Sequence, residues 1–490
     1  MNFPIVAKLI SVVMLILALA FGICLAVSFA LDTRNALLAM EAFGAAIATS
    51  LLSAGLLYWF GRNAGSKFQK KEALCTIGLA WILASLVGSI PYIILTPFIG
   101  VTGSIFESTS GLTTTGASVL TDLETLPRSL LFWRAFSQWI GGMGVVVFFV
   151  AILGFLGADA KILYANEASG SVADFEESRV QKTVLRLIYL YAGLSLACCG
   201  AYWLAGMDWF DATCHMFTTV STAGFSTRTE SIAAFHSPTI EWVAIVFMVL
   251  AGINFFLQIR LIRGNVAYVK RNTELHLYLS MLFIASMVIA ISLVLENTIP
   301  EINRAIREST FNVVSIMTTT GYATEDFASW STIPQSILLT IMVIGGCSGS
   351  TSGGIKVFRL AIAIKMVVIA VERSFRTRIV RQIRINDRTV DDRTAVDTLL
   401  FLALSAMILA ASTILISIFE PGHQLDTSLS AVPACMFNIG PGLKEVGPTE
   451  TYDFFHPHSK LLLSLLMIMG RLELYAVLAL FAPSLWKRFD

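Results

Sequence analysis

Ten apolar stretches, each long enough to cross a hydrocarbon core of about 30 Å as a helix, constrain this chain more than any other feature. They run over 5–30, 38–61, 73–98, 128–156, 183–206, 239–262, 275–296, 333–371, 396–419 and 459–486. The eighth is too long for one simple span. The first has no small-residue cleavage site and leads at once into the second, so it is read as a retained helix rather than a signal peptide. Only 14% of residues are charged, against roughly a quarter in soluble chains. The expected class is therefore an all-α integral membrane protein. A net charge of +1 leaves no general basic surface and argues against a nucleic-acid partner. The seven cysteines contain no CxxC pair and read as small buried apolar side chains.

Orientation follows from where Lys and Arg fall. With the N-terminus inside, the segments 62–71, 157–186, 260–274 and 356–393, together with Lys8, Lys487 and Arg488, hold 25 of the 34 basic residues. The positive-inside rule then puts both termini in the cytoplasm, as ten spans require. Only Arg471 is left at mid-membrane.

Four of the outer connections are too long and too apolar to be plain loops, and each contains a related string. These are Gly111-Leu-Thr-Thr-Thr-Gly-Ala117, Val220-Ser-Thr-Ala-Gly-Phe225, Met317-Thr-Thr-Thr-Gly-Tyr322 and Phe437-Asn-Ile-Gly-Pro441. Their glycines, Gly116, Gly224, Gly321 and Gly440, lie 108, 97 and 119 residues apart, a period that marks an internal repeat. Before each string lies a helix-like segment too short to span, at 103–112, 209–219, 301–316 and 426–436. Each copy reads as membrane helix, re-entrant helix, Thr/Gly turn, membrane helix. The division expected is an N-terminal helix pair at 1–71 and four pore repeats at 72–180, 181–273, 274–393 and 394–490.

Irregular backbone at membrane depth survives only where protein buries it or water lines it, because lipid satisfies no N–H or C=O. Four such turns can share one axis. Glycine after small or β-branched residues lets successive carbonyls point inward, where they can replace the water shell of a cation. The C-terminal dipole ends of the short helices favour the same charge. Ordinary outer turns would explain one such string but not four at matching positions.

Two features sit below these turns. The overlong eighth stretch is interrupted by Gly345-Gly-Cys-Ser-Gly-Ser-Thr-Ser-Gly-Gly354. Glycine costs about 1 kcal/mol per residue inside a helix, so the helix should break here. Gly345, Gly346, Gly349, Ser350, Thr351, Gly353 and Gly354 are read as a gate under the turns, with a packing kink as the rival. A phosphate loop would want Gly-Lys-Ser/Thr at its end, and Gly354 is followed by Ile355 and Lys356. Arg471, 31 residues after Gly440, is expensive at mid-membrane and is expected near the shared axis. Its rival role, pairing with Glu473, is opposed by a two-residue spacing that puts the two on different helix faces.

Weaker signals complete the reading. Glu107 and Asp211, on re-entrant helices, could attract cations or form structural hydrogen bonds. His456 and His458 lack a third metal ligand. The run Arg373, Arg376, Arg378, Arg381, Arg384 and Arg388 chiefly sets topology and can also touch anionic membrane lipid or a cytosolic regulatory partner. Trp133, Trp139 and Trp330 are expected interfacial or packing aromatics.

The four turns, together with Gln138-Trp-Ile-Gly-Gly-Met-Gly144, the 345–354 run, Asn438-Ile-Gly-Pro-Gly-Leu443 and Gly470-Arg-Leu-Glu473, resemble the TrkH/TrkG membrane subunits of the bacterial Trk potassium uptake system. That superfamily includes the Ktr and plant HKT transporters, and the likeness covers essentially the whole chain. It implies a non-enzymatic K⁺ pore in the inner membrane, a homodimer, and a cytosolic nucleotide-binding regulatory ring of the TrkA type. It also implies ion-lining positions at Thr114, Thr115, Gly116; Thr222, Ala223, Gly224; Thr319, Thr320, Gly321; and Asn438, Ile439, Gly440, mostly through backbone carbonyls. Relatives that admit Na⁺ often carry serine where Gly116 stands. Arg471 would be a barrier in the permeation path. Two other classes stay open: a Na⁺- or H⁺-coupled transporter, for which Glu473 is the main buried carboxylate, and a membrane hydrolase, for which no span offers a central His.

Overall fold

A computed structural model describes residues 1–32, 36–64, 70–156, 177–376, 382–386 and 388–486. Most of 157–186 and the basic residues Arg378, Arg381, Lys487 and Arg488 therefore lie, wholly or in part, outside the described residues. Among the described residues the regular structure is helical apart from a two-stranded hairpin pairing Arg384–Ile385 with Arg388–Thr389 and an isolated bridge between Ile344 and Ile355, a small departure from the all-α expectation. The hairpin closes a second, minor core with Phe358, Ile362 and Ala395.

The burial pattern is inverted relative to a soluble domain. Leu19, Leu52, Leu196 and Leu204 are exposed, while the Ser/Thr-rich segment Ser108–Thr115 is buried. Apolar side chains facing outward around a polar centre suit a hydrocarbon solvent, in which nothing drives leucine inward. Among the described residues, six helices are long and apolar enough to cross a membrane, or seven if the bent pair Pro238–Gly252 and Phe255–Ile262 counts as one.

Phe3–Leu31 and Ala36–Gly61 pack together as the N-terminal pair. Among the described residues after this pair, four units of three helices follow one another in the same order. A first helix, Lys70–Gly88 extended by Ile90–Leu95, Glu177–Leu204, Thr273–Leu295 or Asp392–Phe419, packs on a short helix that follows it. The short helices are Gly100–Leu112, Trp209–Val220, Ile302–Met317 and Leu425–Met436, within three residues of the expected bounds. A second helix then returns: Arg128–Leu156, Pro238–Gly252, Thr332–Met342 or Pro457–Arg471. Each second helix packs against the short helix of the following unit, and that of the fourth unit packs against Gly100–Leu112. The units therefore form a closed ring.

Three of the four second helices break, where only the eighth stretch was expected to. The sixth stretch bends by 101° after Gly252, because the Asn254 side chain accepts from the Phe256 and Leu257 amides and starts a new helix. The last stretch breaks at Leu472–Leu474, with Glu473 and Leu474 both at positive φ. Only Arg128–Leu156 runs through.

Candidate ion-binding site

All four short helices end in the same way. The amides of Thr115, Ala223, Thr320 and Ile439 reach back five residues to the carbonyls of Ser110, Thr218, Ser315 and Ala434, at 2.8–2.9 Å. The amide before each bonds three residues back. This is the Schellman closure, which places one residue in the left-handed region. Glycine usually fills that place. Here Thr114, Thr222, Thr319 and Asn438 fill it at φ 53–58°, a conformation that costs a non-glycine residue about 1–3 kcal/mol and clusters at functional sites.

The glycine two residues on is again left-handed in every turn, at φ 84° for Gly116, 79° for Gly224, 78° for Gly321 and 100° for Gly440. A Cβ placed on Gly116 would lie 2.3 Å from the Ala223 carbonyl oxygen, and one on Gly224 1.9 Å from that of Thr320. One on Gly321 would lie 2.0 Å from the Ile439 oxygen, and one on Gly440 2.8 Å from that of Thr115. Each turn touches the next and the fourth touches the first. Twelve residues singled out in the sequence are thereby brought into one ring, with four carbonyls from equivalent positions at its contacts.

Buried side chains fix the ring from behind. Gln138 donates to the Ala223 carbonyl at 2.8 Å and accepts from the Phe225 amide at 3.0 Å. Asn438 donates to Thr115 Oγ1 at 2.9 Å, joining the fourth turn to the first. Tyr452 donates to the Gly440 carbonyl at 2.8 Å, and the Tyr322 hydroxyl meets Thr218 and Thr219 of the second unit. The structure gives Glu107 and Asp211 structural roles. Glu107 accepts from Arg134 at 2.8 Å and from the Val119 amide at 2.9 Å, and Asp211 accepts from Thr227 and Arg228, both at 2.7 Å. Glu308 accepts from Thr324 in the third unit. Each carboxylate holds the strand that leaves its turn.

Beneath the ring lies the 345–354 segment. Ile344 and Ile355 pair as a short parallel bridge, so the chain loops out and returns to its starting point. The loop reaches the turns of the second, third and fourth units. Thr351 Oγ1 donates to the Val220 carbonyl at 3.1 Å, and the Gly353 amide donates to Thr319 Oγ1 at 2.6 Å. A Cβ on Gly353 would lie 2.3 Å from the Phe437 carbonyl oxygen. Arg471 completes the set: its Nη1 donates to the Thr351 carbonyl at 2.7 Å and its Nη2 to that of Gly141 at 3.3 Å. Glu473 pairs with Arg359, which stacks on Phe401. Arg471 is thus buried against the loop, away from Glu473.

A sequence model of the family described as "TrkH: Cation transport protein" matches residues 39–488. The chain belongs to the TrkH family. Among its relatives, the Trk system potassium uptake protein TrkH of Escherichia coli is 33% identical over 91% of this chain and 92% of its own. The Trk system potassium uptake protein TrkI of Halomonas elongata is 31% identical over 99% and 97%. The crystal structure of the potassium transporter TrkH from Vibrio parahaemolyticus superposes with a TM-score of 0.86 at 30% identity, covering 98% of this chain and 99% of that one. The TrkH fold thus extends along nearly the whole chain, and the ring of turns lies within the matched region.

Proposed function

We propose that this TrkH-family protein takes up K⁺ across the cytoplasmic membrane through a single central pore, with K⁺ as cargo rather than cofactor. The closed ring of Thr/Gly turns carries this reading. Four carbonyls at equivalent positions, in turns that buried side chains brace, can replace the hydration shell of a monovalent cation. The ten spans, the N-terminal pair at 1–71, the pore repeats at 72–180, 181–273, 274–393 and 394–490, and the cytoplasmic placing of both ends belong to this proposal.

The gate is the 345–354 loop with Arg471. Loop and guanidinium together contact all four units below the ring, where a permeating ion would leave it, and the fixed positive charge adds an electrostatic barrier. The relatives named above belong to a Trk system, and from this a homodimer in the inner membrane and a TrkA-like cytosolic nucleotide-binding partner are proposed.

Reversal potentials of the purified protein in bilayers test the reading. Potentials that follow the K⁺ gradient and ignore Na⁺ and pH gradients are expected. A shift with pH or Na⁺ at fixed K⁺ would show coupled transport instead.

A further inference from the structure

The hairpin, which the proposed orientation puts on the cytoplasmic side, and the loop under the ring are joined through two consecutive residues. Thr273 opens the helix Thr273–Leu295, so its amide has no partner within that helix. It donates to Asn386 Oδ1 in the hairpin at 2.6 Å. The next residue, Glu274, is buried, and its Oε1 accepts from the Ser348 amide in the loop at 2.6 Å. Asn386 itself stands at φ 52°, at the hairpin tip. The hairpin is anchored from the far side of the loop as well: Ile385 packs on Phe358 and Ile362, on the helix Val357–Phe375 that leaves the loop, and Lys365 Nζ bonds the Arg384 carbonyl. One small element thus grips the helix after the loop and, through Thr273 and Glu274, the loop's entrance.

We propose that Glu274 is the positioning residue of the gate and that Asn386 is the handle through which a displacement at the cytoplasmic surface reaches it. The inference rests on the 345–354 loop being the gate. When the hairpin moves, the first turn of Thr273–Leu295 loses its external acceptor, Glu274 shifts, and the Ser348 amide is released. The loop then loses the anchor it has on Thr273–Leu295.

The test measures partner-free K⁺ flux in proteoliposomes, K⁺/Na⁺ permeability ratios, thermal stability in detergent, and the rate at which a thiol reagent modifies Ser350→Cys. Asn386→Gly removes the acceptor without strain, because glycine accepts positive φ. It should raise flux and Ser350→Cys labelling about three- to tenfold, the range open to one lost hydrogen bond, with selectivity and melting temperature unchanged. Asn386→Asp and Glu274→Gln keep an acceptor oxygen and should keep flux low. Glu274→Ala should raise flux, and adding Asn386→Gly to it should give no further rise, since both act through one path. Deletion of Gly349–Gly353 is the control. If the deletion raises flux while Asn386→Gly changes neither flux nor labelling, the handle is refuted and the gate stands. Additive effects in the double variant would also refute it. Unchanged flux in the deletion would refute gate and handle together.

Discussion

Gly440 lies against the carbonyl of Thr115, close enough that a Cβ on the glycine would sit 2.8 Å from that oxygen. The two residues stand in the first and the last of the four turns, and their contact closes the series of turns into a ring. A change at any one turn is therefore felt by the carbonyl of its neighbour.

Gly116→Ser should weaken K⁺ over Na⁺ discrimination. Its Cβ would meet the Ala223 oxygen at 2.3 Å, backbone that has to move. Gly440→Ser, with more room at 2.8 Å, should do the same to a smaller degree. A 100-fold selectivity corresponds to about 2.7 kcal/mol, so one displaced ligand can remove much of it. Permeability ratios from bi-ionic potentials measure this; unaltered ratios in both variants would sink the claim that these turns select the ion.

Arg471→Ala should increase K⁺ conductance, because it removes a fixed cation and frees the Thr351 carbonyl together. Arg471→Lys keeps the charge but cannot reach both Thr351 and Gly141 as a planar fork does, so its conductance should fall between wild type and alanine. Single-channel or flux recordings decide; lower conductance in a folded Arg471→Ala protein would assign the residue to structure alone.

Arg134→Ala should destabilise the fold by about 3–5 kcal/mol, since it leaves the Glu107 carboxylate buried without its counter-charge. Arg134 also bonds Ser118 Oγ at 3.1 Å and the Ser226 carbonyl at 3.0 Å. Lysine should therefore rescue little. Thermal unfolding in detergent gives the comparison, and a melting temperature within a degree of wild type would contradict the role assigned to the pair.

Gly470→Ala should abolish uptake, with a Cβ placed 1.7 Å from the Met436 carbonyl oxygen at the end of the fourth short helix. Gly200→Ala, where nothing lies within 4 Å, should be neutral. Growth of a K⁺-uptake-deficient bacterial strain at low K⁺ reports both. Equal growth of the two variants would mean that the second helix does not press on the short one as described.

Much of the ring was legible in the sequence because it is built from local signals repeated four times. The Thr-Gly strings, the short helices before them and the glycine interruption after Gly345 all depend on residues close in the chain. The breaks at Ile253 and Leu472 were hidden inside continuous hydropathy. Asn254 following Gly252 was an available helix-start signal for the first; for the second there was none. Long-range partners were equally invisible: Arg471 bonds a carbonyl 120 residues away, and Gln138 bonds one 85 residues away. Charge alone could say that Arg471 needed partners at mid-membrane, but a carbonyl leaves no mark in a sequence.

The uninterrupted helix Arg128–Leu156 has a mechanical consequence. In the other three units the inward half of the second helix is separated from the outward half by a joint, at Ile253–Asn254, at the loop, and at Leu472–Leu474. Three staves of this barrel can fold at one level while the fourth stays stiff. If the proposed pore widens below that level, the widening should be lopsided, a swing away from one fixed post rather than the even dilation of an iris, with its lower mouth opening off-centre, towards the jointed units.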